Sequence, residues 1–93
     1  MDRSSRIVEL WGPIIQMWIE NPHQQITIDN VNSEYEGKTY SNCYLHTSFY
    51  EEKNVYEIWG YSDDHDLVAP FFYYTCSSPK YVEITELPYF EKM

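Results

Sequence analysis

The feature that most constrains the fold is a change of hydrophobic period near residue 24. Before it, apolar residues recur at three- and four-residue spacing, which is typical of a helix that packs one face on a core. After it, polar and β-branched residues alternate in residues 25–29 (QITID), which is typical of a half-buried strand. The chain therefore predicts a helix followed by a sheet. The helical stripe consists of Ile7, Leu10, Ile14, Met17 and Trp18.

The helical stretch contains its own interruption. Gly12-Pro13 lies in its middle, and proline inside a helix removes one hydrogen bond and clashes with the preceding turn. We therefore expect either a kinked helix or two short helices, with Pro13 opening the second. Asn21-Pro22 is expected to end the helical region.

Five segments with strand-like patterns follow the helix. Most connections between them are short, which favours antiparallel pairing because parallel crossovers need about a dozen residues or more. Residues 30–40 lack a clear period, contain Gly37 and are predicted to form a loop. The sequence thus predicts one acidic α+β domain over residues 1–93, with an N-terminal kinked helix packed on a five-stranded, mostly antiparallel sheet. The predicted strands are residues 25–29, 42–50, 54–61, 70–76 and 80–87.

Residue parity assigns the two faces of the second predicted strand. Successive side chains of a strand point to opposite faces. Cys43, Leu45, Thr47 and Phe49 therefore share one face, which we expect the helix to cover. The opposite face is expected to carry the more polar set, which consists of Tyr44, His46, Ser48 and Tyr50.

The charge balance excludes several classes of function. Fifteen Asp and Glu against six Lys and Arg give a net charge of −9, whereas phosphate contacts need clustered basic side chains. We therefore expect no direct binding to nucleic acid. No apolar run approaches the roughly 20 residues that span a membrane, and the first residues lack the uninterrupted apolar stretch of a signal peptide. A cytoplasmic protein is expected, in the host cytoplasm if the source is viral.

The chain lacks the usual signatures of catalysis and of bound cofactors. It has no G-x-S-x-G, P-loop, G-x-G-x-x-G or H-E-x-x-H motif. Cys43 and Cys76 form no C-x-x-C pair and are expected to be reduced thiols, and the opposite parity of Cys43 and His46 argues against a nucleophilic dyad. Residues 63–66 (DDHD) have the chemistry of metal ligands, but a hydrophilic loop explains them equally well and is preferred. We expect a protein that is not an enzyme and binds no cofactor.

The acidic residues are grouped in a way that admits a specific role. Residues two apart on a strand project from one face about 6.6–6.8 Å from each other. Rows of carboxylates can therefore imitate nucleic-acid phosphates and bind a site rich in Arg and Lys. The alternative is a solvated surface that only aids solubility. The groups are Glu34 and Glu36, Glu51 and Glu52, Asp63, Asp64 and Asp66, and Glu83, Glu86 and Glu91.

Ten tyrosines and three tryptophans add an aromatic component. Tyr and Trp are enriched in the hot spots of protein interfaces, but they are also ordinary strand residues. A core this thin cannot bury all the rings of residues 70–74 (PFFYY), so at least one or two are expected at the surface. Exposed rings stack on sugars or bases. The negative charge of the chain argues against nucleic-acid bases as the ligand of these rings. A protein surface and a carbohydrate remain as candidate ligands.

The order of the elements and several short motifs resemble one known family. The motifs are residues 45–49 (LHTSF) before the acidic pair 51–52, then residues 54–55 (NV), 62–63 (SD) and 70–71 (PF), followed by the alternating terminus of Val82, Ile84 and Leu87. This pattern resembles the phage uracil-DNA glycosylase inhibitors, which are small acidic proteins that imitate DNA. The likeness covers roughly the C-terminal half of the chain.

The resemblance implies a way of binding. In that family a Glu-Ser-Ile motif after the first strand enters the DNA-binding groove of the glycosylase. The matching positions here are Asp29, Asn30 and Val31, so the serine is missing. The family also captures a leucine of the enzyme in an apolar cavity between sheet and helix. The residues that would line such a cavity here are Ile14, Trp18, Leu45 and Trp59, and a filled core explains them equally well.

The favoured hypothesis is a DNA-mimic inhibitor that occupies the DNA-binding groove of a basic DNA-processing enzyme, with uracil-DNA glycosylase as the target. The alternatives are a phage anti-restriction or anti-CRISPR protein, an immunity protein that neutralises a basic toxin, and a carbohydrate-binding module. Monomer and homodimer both remain open, because an open sheet has an edge that can pair. The candidate partner-binding residues are Asp29, Asn30, Val31, Glu34, Glu36, His46, Glu51, Glu52, Trp59, Asp63 and Asp64.

Overall fold

The structure is a computed structural model that describes residues 3–63 and 69–93. Within these residues it contains one α-helix and five β-strands, with two short 3-10 turns between the last two strands. The helix α1 covers Arg3–Glu20. The strands are β1 (Thr27–Tyr35), β2 (Lys38–Tyr50), β3 (Val55–Ser62), β4 (Phe72–Cys76) and β5 (Tyr89–Lys92), and the 3-10 turns are Pro79–Tyr81 and Ile84–Glu86.

The five strands form one sheet in the order β4-β3-β2-β1-β5. Every neighbouring pair is antiparallel, so β1 to β4 form a meander and β5 pairs with the outer edge of β1. α1 packs on one side of the sheet and contacts β5 and both 3-10 turns. The predicted α+β class, one helix on a five-stranded antiparallel sheet, is confirmed. In the described part of the chain, no helix is both long enough and apolar enough to cross a membrane.

The helix is one continuous element, so the predicted alternative of two short helices is wrong. α1 runs through Pro13, which is exposed to solvent. Met17 was expected in the buried stripe but is 49% exposed, because the stripe is centred on other positions of the helix. Trp11 attaches α1 to the C-terminal segment, where its Nε1 donates a hydrogen bond to the carbonyl oxygen of Pro88 at 2.7 Å. The fully buried positions of α1 are Trp11, Ile15 and Trp18.

Residues 30–40, predicted as a loop, form the end of β1, a tight turn and the start of β2. The turn residues Glu36 and Gly37 have φ values of 51° and 79°, which are the left-handed conformations of a two-residue hairpin turn. The register shifts between β1 and β2, and Asn30 and Asn42 have positive φ near the shifts. An extra residue at such a bulge breaks the period-two pattern. The sequence pattern therefore did not predict this part of the hairpin.

The predicted strand over residues 80–87 is wrong, and the fifth strand lies further on, at β5. Pro79 and Pro88 bound the segment, and proline has no amide N–H to donate to a ladder. The segment instead forms the two 3-10 turns. Leu87 is only 2% exposed. The apolar residues that alternate here therefore pack against α1 and the core without belonging to a strand.

The core lies between α1 and the sheet. Leu45 and Ile58, on β2 and β3, are fully buried at its centre. Gly60 permits close packing here, since a Cβ at this position would lie 2.8 Å from Leu45 Cδ2 and 3.1 Å from Phe71 Cζ. Both cysteines are thiols, with Cys43 buried and the other half-buried at the end of β4. The buried cluster comprises Trp11, Ile15, Trp18, Val31, Cys43, Leu45, Ile58, Phe72, Leu87 and Phe90.

Candidate functional site

The side of the sheet that faces away from α1 is the candidate site, and we call it the open face. Directly paired residues of antiparallel strands share a face. The register pairs His46 with Trp59 and Trp59 with Tyr73 across β2, β3 and β4. The alternating residues Leu45 and Ile58 are buried on the helix side. The aromatic residues of the open face include a central group of Tyr44, His46, Trp59, Tyr61 and Tyr73.

These aromatic rings form a continuous group. The ring centroids of Tyr44 and His46 are 5.0 Å apart, and those of Trp59 and Tyr73 are 4.3 Å apart. Tyr61 connects the two pairs, since its centroid is 6.2 Å from both Tyr44 and Trp59. Tyr44 and Tyr73 remain 40% and 49% exposed. Exposed Tyr and Trp surfaces of this kind are common anchors of protein interfaces, because they bury large areas at small entropic cost.

A buried carboxylate holds two of these rings in place. Glu57 belongs to the open face but is only 6% exposed. Its Oε2 accepts a hydrogen bond from the Tyr73 hydroxyl at 2.5 Å, and its Oε1 accepts one from Trp59 Nε1 at 3.3 Å. The hydrogen bond to Glu57, followed by burial and by the carboxylate charge, raises the pKa of Tyr73 to about 12. This part of the open face is therefore ordered before any partner binds.

His46 is half-buried within the aromatic group. Its Nδ1 lies 2.8 Å from Gln25 Nε2. Burial lowers the pKa of His46, while a backbone hydrogen bond at Thr47 and the charge of Glu57 act in the opposite direction. The net effect of this environment is to favour the neutral form of the ring. Cys43 is buried on the helix side of β2, as parity predicts, so its thiol and the His46 imidazole do not form a dyad.

Carboxylates border the aromatic group. Glu34 on β1 and Glu91 on β5 alternate with buried residues and therefore belong to the open face. The Tyr89 hydroxyl donates a hydrogen bond to Glu91 Oε2 at 3.1 Å. Asp63 directly follows β3, and its Oδ2 accepts a hydrogen bond from Asn42 Nδ2 at 2.7 Å. Negative charge thus lies on the β1 and β5 side of the rings and at the end of β3.

The strands of the open face carry no Lys or Arg on that side. The register places Lys38 opposite Tyr35 and Lys92 opposite Val31, and both of these partners pack on the helix side. Lys53 lies at the rim, in the turn after β2, with its Nζ 5.8 Å from the centroid of the Tyr50 ring. The other basic residues are Arg3 and Arg6 in α1 and Lys80 in a 3-10 turn.

The structure separates several of the predicted partner-binding residues. Val31 is 1% exposed and packs in the core, so its side chain is not accessible to a partner. Asp29 and Asn30 are exposed at the bulge of β1. The acidic pair Glu51 and Glu52 lies in the turn after β2. Glu36 lies in the turn before β2, at the opposite end of that strand.

Other predicted residues do come together. His46 and Trp59 pair directly across β2 and β3, and Glu34 belongs to the same open face. Asp63 follows the end of β3. Asp64, with the rest of the acidic segment that has the chemistry of metal ligands, lies outside the described residues. In the residues that are described, no group of three or more His, Cys, Asp or Glu is arranged to hold a metal ion.

The cavity expected from the family resemblance is not formed by the residues named for it. Trp18 and Leu45 are fully buried in the packed core. Trp59 belongs to the open face, on the opposite side of the sheet from α1. These side chains therefore do not line a common space, because Trp59 points to the opposite side of the sheet from Trp18 and Leu45.

Three important residues of the open face were not predicted from the sequence. Glu57, Tyr61 and Tyr73 are absent from the predicted site residues, although Trp59 is among them. The period-two pattern of β3 contains the signal, since residues 57, 59 and 61 must share a face. Tyr73 has no such local signal, because its position depends on the pairing of β4 with β3.

Comparison of the chain with protein-family models, with characterised proteins and with solved structures finds no match. The candidate site is therefore defined by geometry and charge alone.

Proposed function

We propose that this protein is a non-enzymatic inhibitor that uses its open face to occupy the basic DNA-binding groove of a DNA-processing enzyme. The observation that carries the proposal is that the strands of the open face combine carboxylates and exposed aromatic rings with no Lys or Arg on that side. Uracil-DNA glycosylase is the first target to test, in the cytoplasm of a bacterial host.

The charge pattern supports a partner that is rich in Arg and Lys. The chain has a net charge of −9, and Glu34, Glu91 and Asp63 border the rings. Opposite charges accelerate association and select the partner, and the effect weakens as salt screens it. Carboxylates also accept charge-assisted hydrogen bonds from the guanidinium and ammonium groups that otherwise hold phosphates.

The aromatic group supports a tight contact at the centre of the interface. Interface energy is concentrated in well-packed Tyr, Trp and Arg side chains that are shielded from water. Trp59 and Tyr73 are already held by Glu57, so little conformational freedom is lost when a partner covers them. The proposed interface therefore has an ordered aromatic centre with an acidic border.

The first experiment titrates the purified protein into a bacterial uracil-DNA glycosylase acting on uracil-containing DNA. The test variant is Glu34→Lys/Glu91→Lys, which reverses two charges of the open face. The matched control is Glu9→Lys/Glu20→Lys, which makes the same charge change on exposed positions of α1. We expect stoichiometric inhibition, weakened at least about tenfold by the test variant and only a few-fold by the control.

The outcomes separate the target from the mechanism. Equal losses in the two variants would mean that net charge matters and the open face does not. No inhibition at large excess would remove uracil-DNA glycosylase as the target. The same titration with restriction nucleases and CRISPR effectors then tests the wider class, and inhibition of none of them would overturn the proposal.

Salt dependence distinguishes this function from carbohydrate binding by the same rings. Binding to a basic groove should weaken steeply between about 50 mM and 500 mM NaCl, because the opposing charges are screened. Stacking of sugars on Tyr and Trp does not depend on charge. Binding to an oligosaccharide that persists unchanged at high salt would favour the carbohydrate-binding alternative.

A further inference from the structure

A cavity of about 550 Å³ lies at the end of the sheet that holds the β1–β2 turn, and its lining includes Tyr73 of the open face. It is formed where the start of α1, the end of β1 with its turn, the start of β4, the second 3-10 turn and the start of β5 meet. We call it the Tyr35 cavity. Its apolar lining includes Ile7, Tyr35, Phe72, Tyr74 and Leu87.

Aromatic rings line the Tyr35 cavity in a fixed arrangement. Tyr35 and Phe72 meet edge to face, with their ring centroids 5.0 Å apart and their planes at 83°. Phe72 and Tyr74 are nearly parallel, with centroids 6.4 Å apart. The Tyr74 hydroxyl accepts a hydrogen bond from the backbone N–H of Glu83 at 3.0 Å. These contacts hold the rings in place around the space.

Three carboxylates from different elements also line this cavity. Glu34 lies on β1, Glu36 in the β1–β2 turn and Glu86 in the second 3-10 turn. Burial first, then a hydrogen bond to Glu36 and the charges of Glu36 and Glu86, raise the pKa of Tyr35. The lining includes no Lys or Arg among the described residues. The space is therefore aromatic at its walls and negative in potential.

This combination fits an organic cation better than a metal ion. In the described chain, no group of three or more acidic, His or Cys side chains is arranged to hold a metal ion. Aromatic faces attract cations, and a planar guanidinium both stacks on rings and donates to carboxylates. We propose that the Tyr35 cavity binds a guanidinium group carried on an aliphatic stem, as in an arginine side chain.

The guanidinium group has two sources, free arginine and an arginine within a peptide or protein. The Tyr35 cavity shares Glu34 and Tyr73 with the open face. Its test uses small-molecule probes and no enzyme, so a failure to bind arginine is distinguishable from a failure to inhibit an enzyme. The first probe is N-acetyl-L-arginine N-methylamide, which imitates arginine in a chain, and the second is free L-arginine. The neutral control is N-acetyl-L-norleucine N-methylamide, which has an apolar stem without the charge.

The experiment is an NMR titration of the labelled full chain with each probe. We expect saturable shifts at Tyr35, Phe72 and Glu86 with the peptide-like arginine probe, at an affinity on the order of 1 mM. The neutral probe should cause no saturable shift at these positions. Tighter binding of free L-arginine would identify the free amino acid as the source, and tighter binding of the peptide-like probe would identify a protein.

Charge-neutral variants test the role of the carboxylates. Glu36→Gln/Glu86→Gln should weaken arginine binding about tenfold, because hydrogen bonds to charged groups are lost. The matched control is Glu9→Gln/Glu20→Gln, which removes the same charge from exposed positions outside the cavity and should leave the affinity within about twofold. Near-ultraviolet circular dichroism verifies that both variants are folded.

Three results would overturn the proposal. The first is the absence of any saturable shift at the cavity residues with either arginine probe. The second is equal binding by the neutral probe, which would make the site merely apolar. The third is equal binding by N-acetyl-L-lysine N-methylamide, which would remove the assignment to a guanidinium.

Discussion

At the scale of single residues, Glu57 shows how one side chain organises a surface. A buried carboxylate is costly unless hydrogen bonds replace the water that it loses. Both oxygens of Glu57 accept such bonds, from Tyr73 and Trp59. Glu57 therefore fixes the orientation of two aromatic rings. It also adds negative charge to a face whose strands present no Lys or Arg.

The Tyr73 hydrogen bond leads to a prediction about pH. The pKa of Tyr73 is raised to about 12 from the ordinary value of 10.0, so the folded chain favours the neutral phenol. The stability from this contact is fully present below pH 10 and is lost as the pH rises through about 12. Glu57→Gln should return the Tyr73 pKa toward 10.0, as measured by ¹³C NMR of the tyrosine Cζ atoms.

A matched control exists for this titration. Glu52→Gln removes a carboxylate that accepts from the Tyr50 hydroxyl at 3.3 Å, and it should leave Tyr73 unaffected. If Tyr73 in the unmodified protein already titrated with the exposed tyrosines, the proposed role of Glu57 in holding the ring would be refuted.

Glu36 is a second residue whose conformation is informative. Its φ of 51° is left-handed, where Asn and Gly are favoured and other residues are strained. Glu36→Asn should therefore raise the free energy of unfolding by about 0.5–1 kcal/mol, as measured by urea denaturation. It should also weaken the binding of arginine to the Tyr35 cavity. Lower stability of this variant would show that the Glu36 side chain contributes more than its backbone strain costs.

At the scale of elements, two glycines test the packing of α1 and of the sheet. Gly12 lies inside α1, and no neighbouring side chain comes within 4 Å of the position that a Cβ would take, so Gly12→Ala should stabilise the chain by about 0.5–1 kcal/mol. Gly60→Ala should destabilise it by about 1–3 kcal/mol, because the added methyl would overlap Leu45 and Phe71. Urea unfolding of both variants measures the contrast, and similar effects of the two changes would contradict the described packing.

The elements also show which parts of the fold were predictable. The central strands follow their alternating patterns closely, and the predicted strands 42–50 and 54–61 coincide with most of β2 and with β3. Elements whose pairing depends on partners far along the chain were not predicted from the sequence. The β1–β2 hairpin is concealed by its bulges, and β5 is a four-residue strand whose pairing with β1 has no local pattern of its own.

At the scale of the whole molecule, net charge is the dominant property. A net charge of −9 on 93 residues destabilises the folded state by self-repulsion, which salt screens. The melting temperature of the isolated protein should therefore rise between about 20 mM and 300 mM NaCl, as measured by circular dichroism. Affinity for a basic partner should fall over the same range.

A charge variant provides the control for this effect. Glu34→Lys/Glu91→Lys replaces two negative charges by two positive ones and changes the net charge from −9 to −5, so its melting temperature should depend less on salt. An equal dependence in the two proteins would mean that salt acts through general solvation and that self-repulsion is not the cause.

Residue types and the spacing between close neighbours are enough to determine the α+β class, the acidic character and the two faces of β2, because each of these is a local property of the chain. Only the tertiary structure decided which carboxylates lie beside which rings. Glu57, Trp59 and Tyr73 meet through the pairing of β3 with β4, and Val31 is buried because it lies opposite Cys43 on the side of the sheet that packs in the core. The Tyr35 cavity joins parts of α1, β1, β4, the second 3-10 turn and β5, so long-range packing created it and no local pattern encodes it.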